Sequence, residues 1–259
     1  MSVGTNLSNN IHSVDRTGEF YFDVARGRYD DLFAISKFGR NPDVDTGSED
    51  LWARGGTWVG PITARIHNVV STDIADDLGG TGMETVRIYG LDADYNLIEE
   101  DVTMDGTTNV PTANAYTMIY RMTGLTAGSG GTNAGTVTAT AVTDGTVTAQ
   151  IEIGQGQTQL GVYQVPAGYT AYLGRYGGST DGAGGTNVAI SVFGKPFGGM
   201  FNLKHNITLR AGGSSAYTID LEAPLVFTEK TIIKLRVTVD GDNNDVSGSF
   251  DVVLQRNNS

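Results

Sequence analysis

The sequence predicts an all-β fold of antiparallel β-sandwich or jelly-roll units, and three observations predict it. Glycine accounts for 36 of 259 residues, about twice its ordinary share of about 7%. Apolar residues recur at every second position over short stretches, the period of a half-buried strand. Gly, Asn, Asp and Thr separate these stretches and supply the tight turns that short strands need.

Residues 1 to about 45 lack sustained periodicity, and their apolar residues fall in small islands, Phe20 to Val24 and Leu32 to Phe38. They read as an extended arm. Its aromatic islands cannot be buried alone, so they pack along the chain's own domains or on a neighbouring subunit. Phe20, Phe22, Phe33 and Phe38, with Trp52 and Trp58, are the interface candidates. Thr46 and Glu49 have the spacing of a capping box, which predicts one short helix near 47–53, ended by Gly55-Gly56.

Strands are predicted next over 64–70, 84–89, 98–104, 115–122, 136–141 and 146–153. In the third of these, Ile98, Val102 and Met104 alternate with Glu99, Asp101 and Thr103. Ala, Thr and Gly dominate between 123 and 150, and the glycine-rich run 124–135 reads as a flexible loop. Beyond residue 156 the alternation improves. Ile233, Leu235, Val237 and Val239 share one face, with Lys234, Arg236 and Thr238 on the other, and Phe201, Leu203, His205, Ile207 and Leu209 are assigned to one face in the same way. About seven strands in this stretch predict a sandwich or jelly roll. The expected division is an arm with the short helix (1–58), an acidic β-rich domain (59–155) and a jelly-roll-like domain (156–259). Gly-Thr phrases occur in both halves without a fixed period, so no solenoid or propeller array is predicted.

Charge follows this division. Residues 60–160 hold three basic residues, Arg65, Arg87 and Arg121, against twelve acidic ones, most of the chain's net charge of -12. Such a surface repels phosphate backbones, which argues against direct nucleic-acid binding. There is no cysteine, hence no disulfide, thiol nucleophile or Cys-based metal site. The N-terminus lacks the pattern of a secretory signal, and no run of about 18 apolar residues predicts a membrane span.

Residues that could carry chemistry are few. His12, His67 and His205 lie far apart, and His67 and His205 read as packed histidines. Asp240, Asp242, Asn244 and Asp245 supply the oxygens of a weak calcium candidate. Gly is missing where Asp245 stands and Glu where Asp251 stands, so a solvated hairpin turn is the expectation. The Asp92/Asp94 pair and the Asp73, Asp76, Asp77 cluster read the same way. No nucleophile elbow, His-Glu-x-x-His or phosphate loop is present. The expectation is a non-enzymatic protein without a cofactor. Trp52, Trp58 and the tyrosines could stack sugars, although aromatics more often anchor cores and interfaces.

The run Phe38-Gly-Arg-Asn-Pro-Asp-Val-Asp45, then Glu49-Asp-Leu-Trp52 and Gly55-Gly56, resembles virion structural proteins of tailed, often marine, bacteriophages. The resemblance continues through 88–96, 127–135, 165–173 and Pro196-Phe-Gly-Gly199, covering the chain from about residue 38 onward. It implies a capsid decoration (cement) or tail-associated protein, located in the virion after assembly in the bacterial cytoplasm. The implied partners are copies of itself and the major capsid protein or other virion proteins. A fibre-associated adhesin for host surface glycans is the alternative. The resemblance carries over no catalytic residue.

Overall fold

The structure is a computed structural model and describes residues 20–181, 185–212 and 215–257. Residues 1–19 of the expected arm, His12 among them, lie outside the described residues. Strand accounts for 58% and helix for 3% of the described residues, so the all-β expectation holds. Among the described residues, no helix is long and apolar enough to cross a membrane.

Among the described residues the one helix is α1 (Phe20–Ala25), and the helix expected at 47–53 is absent. The strands are β1 (Leu32–Val44), β2 (Gly47–Asp50), β3 (His67–Ser71), β4 (Met83–Leu91), β5 (Leu97–Thr103), β6 (Val110–Pro111), β7 (Met118–Ala127), β8 (Val137–Ala141) and β9 (Val147–Ile151). They continue with β10 (Val162–Gln164), β11 (Tyr169–Thr180), β12 (Asn187–Lys195), β13 (Asn202–Arg210), β14 (Ser215–Phe227), β15 (Ile232–Val239) and β16 (Asn244–Arg256).

Eight of these strands pair as a nested series. β1 pairs with β16, β10 with β15, β11 with β14 and β12 with β13, all antiparallel. Cross-pairing of β11 with β16 and of β12 with β15 gathers them into two sheets, β1-β16-β11-β14 and β10-β15-β12-β13. Both sheets face one core, where Leu173, Tyr176 and Phe250 meet Ile190, Val192, Leu235 and Val237. β3 to β9 form two further sheets, β6-β3-β8-β9 and β5-β4-β7, around a second core that includes Val69, Ile88, Met122, Val137 and Ile151. Four small antiparallel sheets thus make a propeller-like set in number, with strand orders that differ from one to the next. Along the chain, the second pair is an insertion between β2 and β10.

Two elements expected otherwise are strands. Residues 32–44, assigned to the arm, are the edge strand β1, in register with β16 from Leu32↔Gln255 to Val44↔Asn244. Residues 47–50 are β2, laddered to β15 from Gly47↔Val239 to Asp50↔Arg236. The capping box fails because its side chains have other partners. Thr46 donates from N and Oγ1 to Asp242 Oδ1, at 2.9 and 2.7 Å. Glu49 Oε2 accepts from Asn41 Nδ2 at 2.8 Å and from the Gly56 N–H.

Part of the glycine excess serves contact between sheets. Gly39, Gly248 and Gly178 stand side by side across β1, β16 and β11. A Cβ on Gly39 would lie 2.2 Å from the Leu51 carbonyl oxygen, and one on Gly178 would lie 2.4 Å from Ile190 Cδ1. In β13 a bulge opposite Val192/Phe193 breaks the predicted face. Ile207 is buried as expected, whereas Leu203, across the bulge, is 54% exposed.

Candidate functional site: a cationic aromatic cleft

A cleft of ≈ 530 Å³ opens where the two pairs of sheets meet. β15 forms one wall. Its odd-numbered apolar residues enter the core, so Lys234 and Arg236 project from the opposite face toward the cleft. The segments 57–62 and 195–199, with Tyr95, Phe201 and Lys230, form most of the remaining lining.

The cleft's charge sets it apart. Four cations line it, Lys195, Lys230, Lys234 and Arg236, and no acidic residue does. Asp50, fully buried beneath, receives two of them. Its Oδ2 accepts from Lys234 Nζ at 2.7 Å and from the Trp58 N–H at 2.9 Å, and its Oδ1 accepts from Arg236 Nε at 3.0 Å. Burial lowers the Lys234 pKa, with Asp50 opposing the shift and Arg236 and Lys195 adding to it. Lys195 and Lys230 have no carboxylate partner among the described residues.

Aromatic rings hold the ammonium groups. Lys234 Nζ lies 4.2 Å from the Phe201 ring centroid, and Lys195 Nζ lies 5.7 Å from the same ring. Lys230 Nζ sits 5.2 Å from Tyr95 and 5.3 Å from Phe197, two rings in edge contact at 5.7 Å. The ring quadrupole favours such placement. Val59, Ile62 and Phe197 give the cleft an exposed apolar rim. The arrangement suits an acidic group flanked by apolar surface.

Of the predicted interface residues, only Trp58 lines the cleft, and it is 5% exposed, with Nε1 donating to the Thr148 carbonyl at 2.9 Å. Trp52, also buried, joins it in a third core with Leu91, Met118, Leu160 and Val162. The tryptophans therefore hold the two pairs of sheets together and offer no free face for stacking. Phe22 is exposed beneath Arg26, Phe20 touches Tyr21 and Tyr29, and Phe33 meets Tyr169. Phe38 lines a separate groove with Tyr120 and Arg121.

The calcium candidate is dispersed. Asp240 accepts from Asn187, Asp242 from Thr46, and Asp245 pairs with Arg40, while Asn244 Nδ2 donates to the Gly241 carbonyl. The turn is also no hairpin, since it carries the chain from β15 in one sheet to β16 in the other. Among the described residues, no three His, Cys, Asp or Glu side chains are grouped to hold a metal.

Asp76 instead organises loops. Its Oδ1 accepts from the Met83 and Ala134 N–H groups, both at 2.7 Å, and its Oδ2 from Ser71 Oγ at 2.6 Å and the Gly135 N–H at 2.9 Å. Asn133 Nδ2 donates to the Gly135 and Glu152 carbonyls. The glycine-rich run expected to be flexible is thus pinned, and a Cβ on Gly128 would strike the Gly80 carbonyl oxygen at 1.9 Å. His67 is buried, with Nδ1 bonded to the Arg65 carbonyl, and burial lowers its pKa to about 4. His205 Nδ1 lies 2.6 Å from the Tyr176 hydroxyl.

The cleft cations escaped sequence reasoning because they come from three separate segments of a stretch whose charge is balanced overall. The one local signal was Lys234-x-Arg236 on the polar face of a strongly alternating strand.

No protein-family model matches the chain, and no curated protein does. Among solved structures, one of the infectious bursal disease virus Gt strain is 10% identical over 88% of this chain and 78% of that chain, with a TM-score of 0.22. A mutant VP2 protein of infectious bursal disease virus, in T=1 particles, is 11% identical over 87% and 74%, with a TM-score of 0.23. At these scores the likeness is an overlap of β-rich chains and carries no argument about role.

Proposed function

We propose that the chain is a non-enzymatic structural component of a bacteriophage virion, a capsid decoration or cement protein built on a jelly roll. The nested pairing carries this reading. A jelly roll is an eight-stranded antiparallel hairpin rolled into two sheets, an architecture shared by viral shells and lectins. Lettered B to I in chain order, β1 and β10 to β16 read B-I-D-G in one sheet and C-H-E-F in the other. On this reading β3 to β9 form a second sandwich inserted between strands B and C. Fold alone does not assign function; the resemblance of residues 38 onward to virion structural proteins of tailed phages supplies the biological context. The test is quantitative mass spectrometry of purified particles. A fixed stoichiometry to the major capsid protein is expected, and absence from particles refutes the proposal.

The cleft favours a second reading, a fibre-associated adhesin for acidic host-surface glycans. Its test is saturable binding on a glycan array, lost in Lys230→Glu. Trp58→Ala would be a poor probe, because Trp58 is part of the core.

A further inference from the structure

We infer that the cationic cleft receives the Asp73–Leu78 loop of a second copy of this chain, a head-to-tail contact. The inference rests on reading the chain as an assembling structural protein and names the contact.

The loop has what the cleft lacks. Ile74 and Leu78 are 77% and 68% exposed, an unusual display for large aliphatic residues, and they alternate with Asp73 and Asp77. An isolated bridge sets Asp77 opposite the exposed Asp105, which adds a third carboxylate. The cleft presents the complement, with Lys195 and Lys230 beside the Lys234–Asp50–Arg236 group and an exposed apolar rim of Val59, Ile62 and Phe197. Opposed potentials of this kind fix register and speed encounter.

The loop is also set in advance. Asp76, between the exposed residues, faces inward and takes its four hydrogen bonds from Ser71, Met83, Ala134 and Gly135. Gly106 packs beneath Ile74, where a Cβ would stand 3.1 Å from Ile74 Cα. A loop fixed in this way loses little conformational freedom on docking. None of residues 73–78 lines the cleft of its own chain, so a meeting takes place between chains. Loop and cleft are different surfaces, which makes the contact heterologous, and such contacts close into rings or extend into filaments.

Sedimentation velocity on the full-length protein tests this over a concentration series at low and high salt. Self-association that weakens as salt rises is expected. Lys195→Glu with Lys230→Glu, and separately Asp73→Lys with Asp77→Lys, should each weaken association at least tenfold with the β fold retained by circular dichroism. Asp73 and Asp77 accept from the Ala75 and Leu78 N–H groups, so a small fall in melting temperature is expected of the loop variant alone. Mixed together, the two variants should associate again, because the native loop of one meets the native cleft of the other and the reversed loop meets the reversed cleft. One chain carrying all four substitutions should associate again. Unchanged association of the loop variant overturns the inference. A wild-type protein that stays monomeric overturns it too, even if the protein is found at fixed copy number in particles, an outcome that leaves the structural role standing. Heparin binding lost only in the cleft variant, without self-association, would overturn it in favour of a glycan.

Discussion

The two pairs of sheets are both all-β but are held by different means. In the nested eight-stranded unit, large side chains such as Tyr176, Phe250 and Leu235 fill the space between the sheets. Where they do not, the row Gly39-Gly248-Gly178 lets backbones approach. In the inserted unit the core is smaller in its residues, with Ala139 and Ala149 among them, and buried polar groups anchor its loops. Asp76 and Asn133 organise the turns there. Where the two units meet lie buried charges. Lys234 is held by Asp50, and Lys37 donates to the Tyr120 carbonyl, its pKa lowered by burial and by Arg121. Apolar packing can define a long-range pairing, whereas loops rich in small residues need directional bonds to be unique.

This contrast can be broken at the junction first. Asp50→Ala leaves Lys234 buried without its counter-charge, and about 4 kcal/mol of stability is expected to be lost. Trp52 and Trp58 are the only tryptophans and both lie at this junction, so denaturation followed by intrinsic fluorescence reads the effect there. Asp76→Ala removes the acceptor of three buried or half-buried N–H groups, for an expected loss of about 3 kcal/mol. Hydrogen exchange should show it as lost protection over 71–83 and 133–136, with β11 and β16 still protected. Equal loss in both units would erase the contrast.

Burial of His67 lowers its pKa and so ties stability to pH. The unfolded chain binds the proton near pH 6.5 and the folded chain only near about 4. The stability tied to neutral His67 is therefore whole above about pH 6.5, declines as pH falls, and is gone below about 4. About 2 to 3 kcal/mol is expected to be lost across that window, and His67→Phe should flatten the slope in urea melts. The smallest effect is expected from Gly39→Ala, about 2 kcal/mol, as the new Cβ forces β1 away from Leu51. A neutral result would show that the sheets need no close approach.

Much of the eight-stranded unit was legible, because Ile233, Leu235, Val237 and Val239 keep strict period two and enter the core together. β1 was not. Its partner lies some two hundred residues away, and its inward positions include Lys37, Gly39 and Asn41, which break the apolar signal. The capping box misled because Thr46 and Glu49 satisfy that motif locally while their bonds go to Asp242, Asn41 and Gly56. The cleft depends on Lys195, Lys230 and Lys234 converging with Phe197, Phe201 and Tyr95, a convergence that only the pairing of β12 with β15 and the return of the inserted unit create.

Residues 32–44 are the first strand of the nested unit and not a free arm. The chain has no cysteine, so a single engineered pair is an unambiguous reporter. Ala34 stands opposite Val253 in the β1–β16 ladder. Mild oxidation of the Ala34→Cys, Val253→Cys double variant should give an intrachain disulfide in nearly every molecule, seen by mass spectrometry of the non-reduced digest, with the fold retained. Free thiols, or disulfides formed only between chains, would contradict the nested pairing.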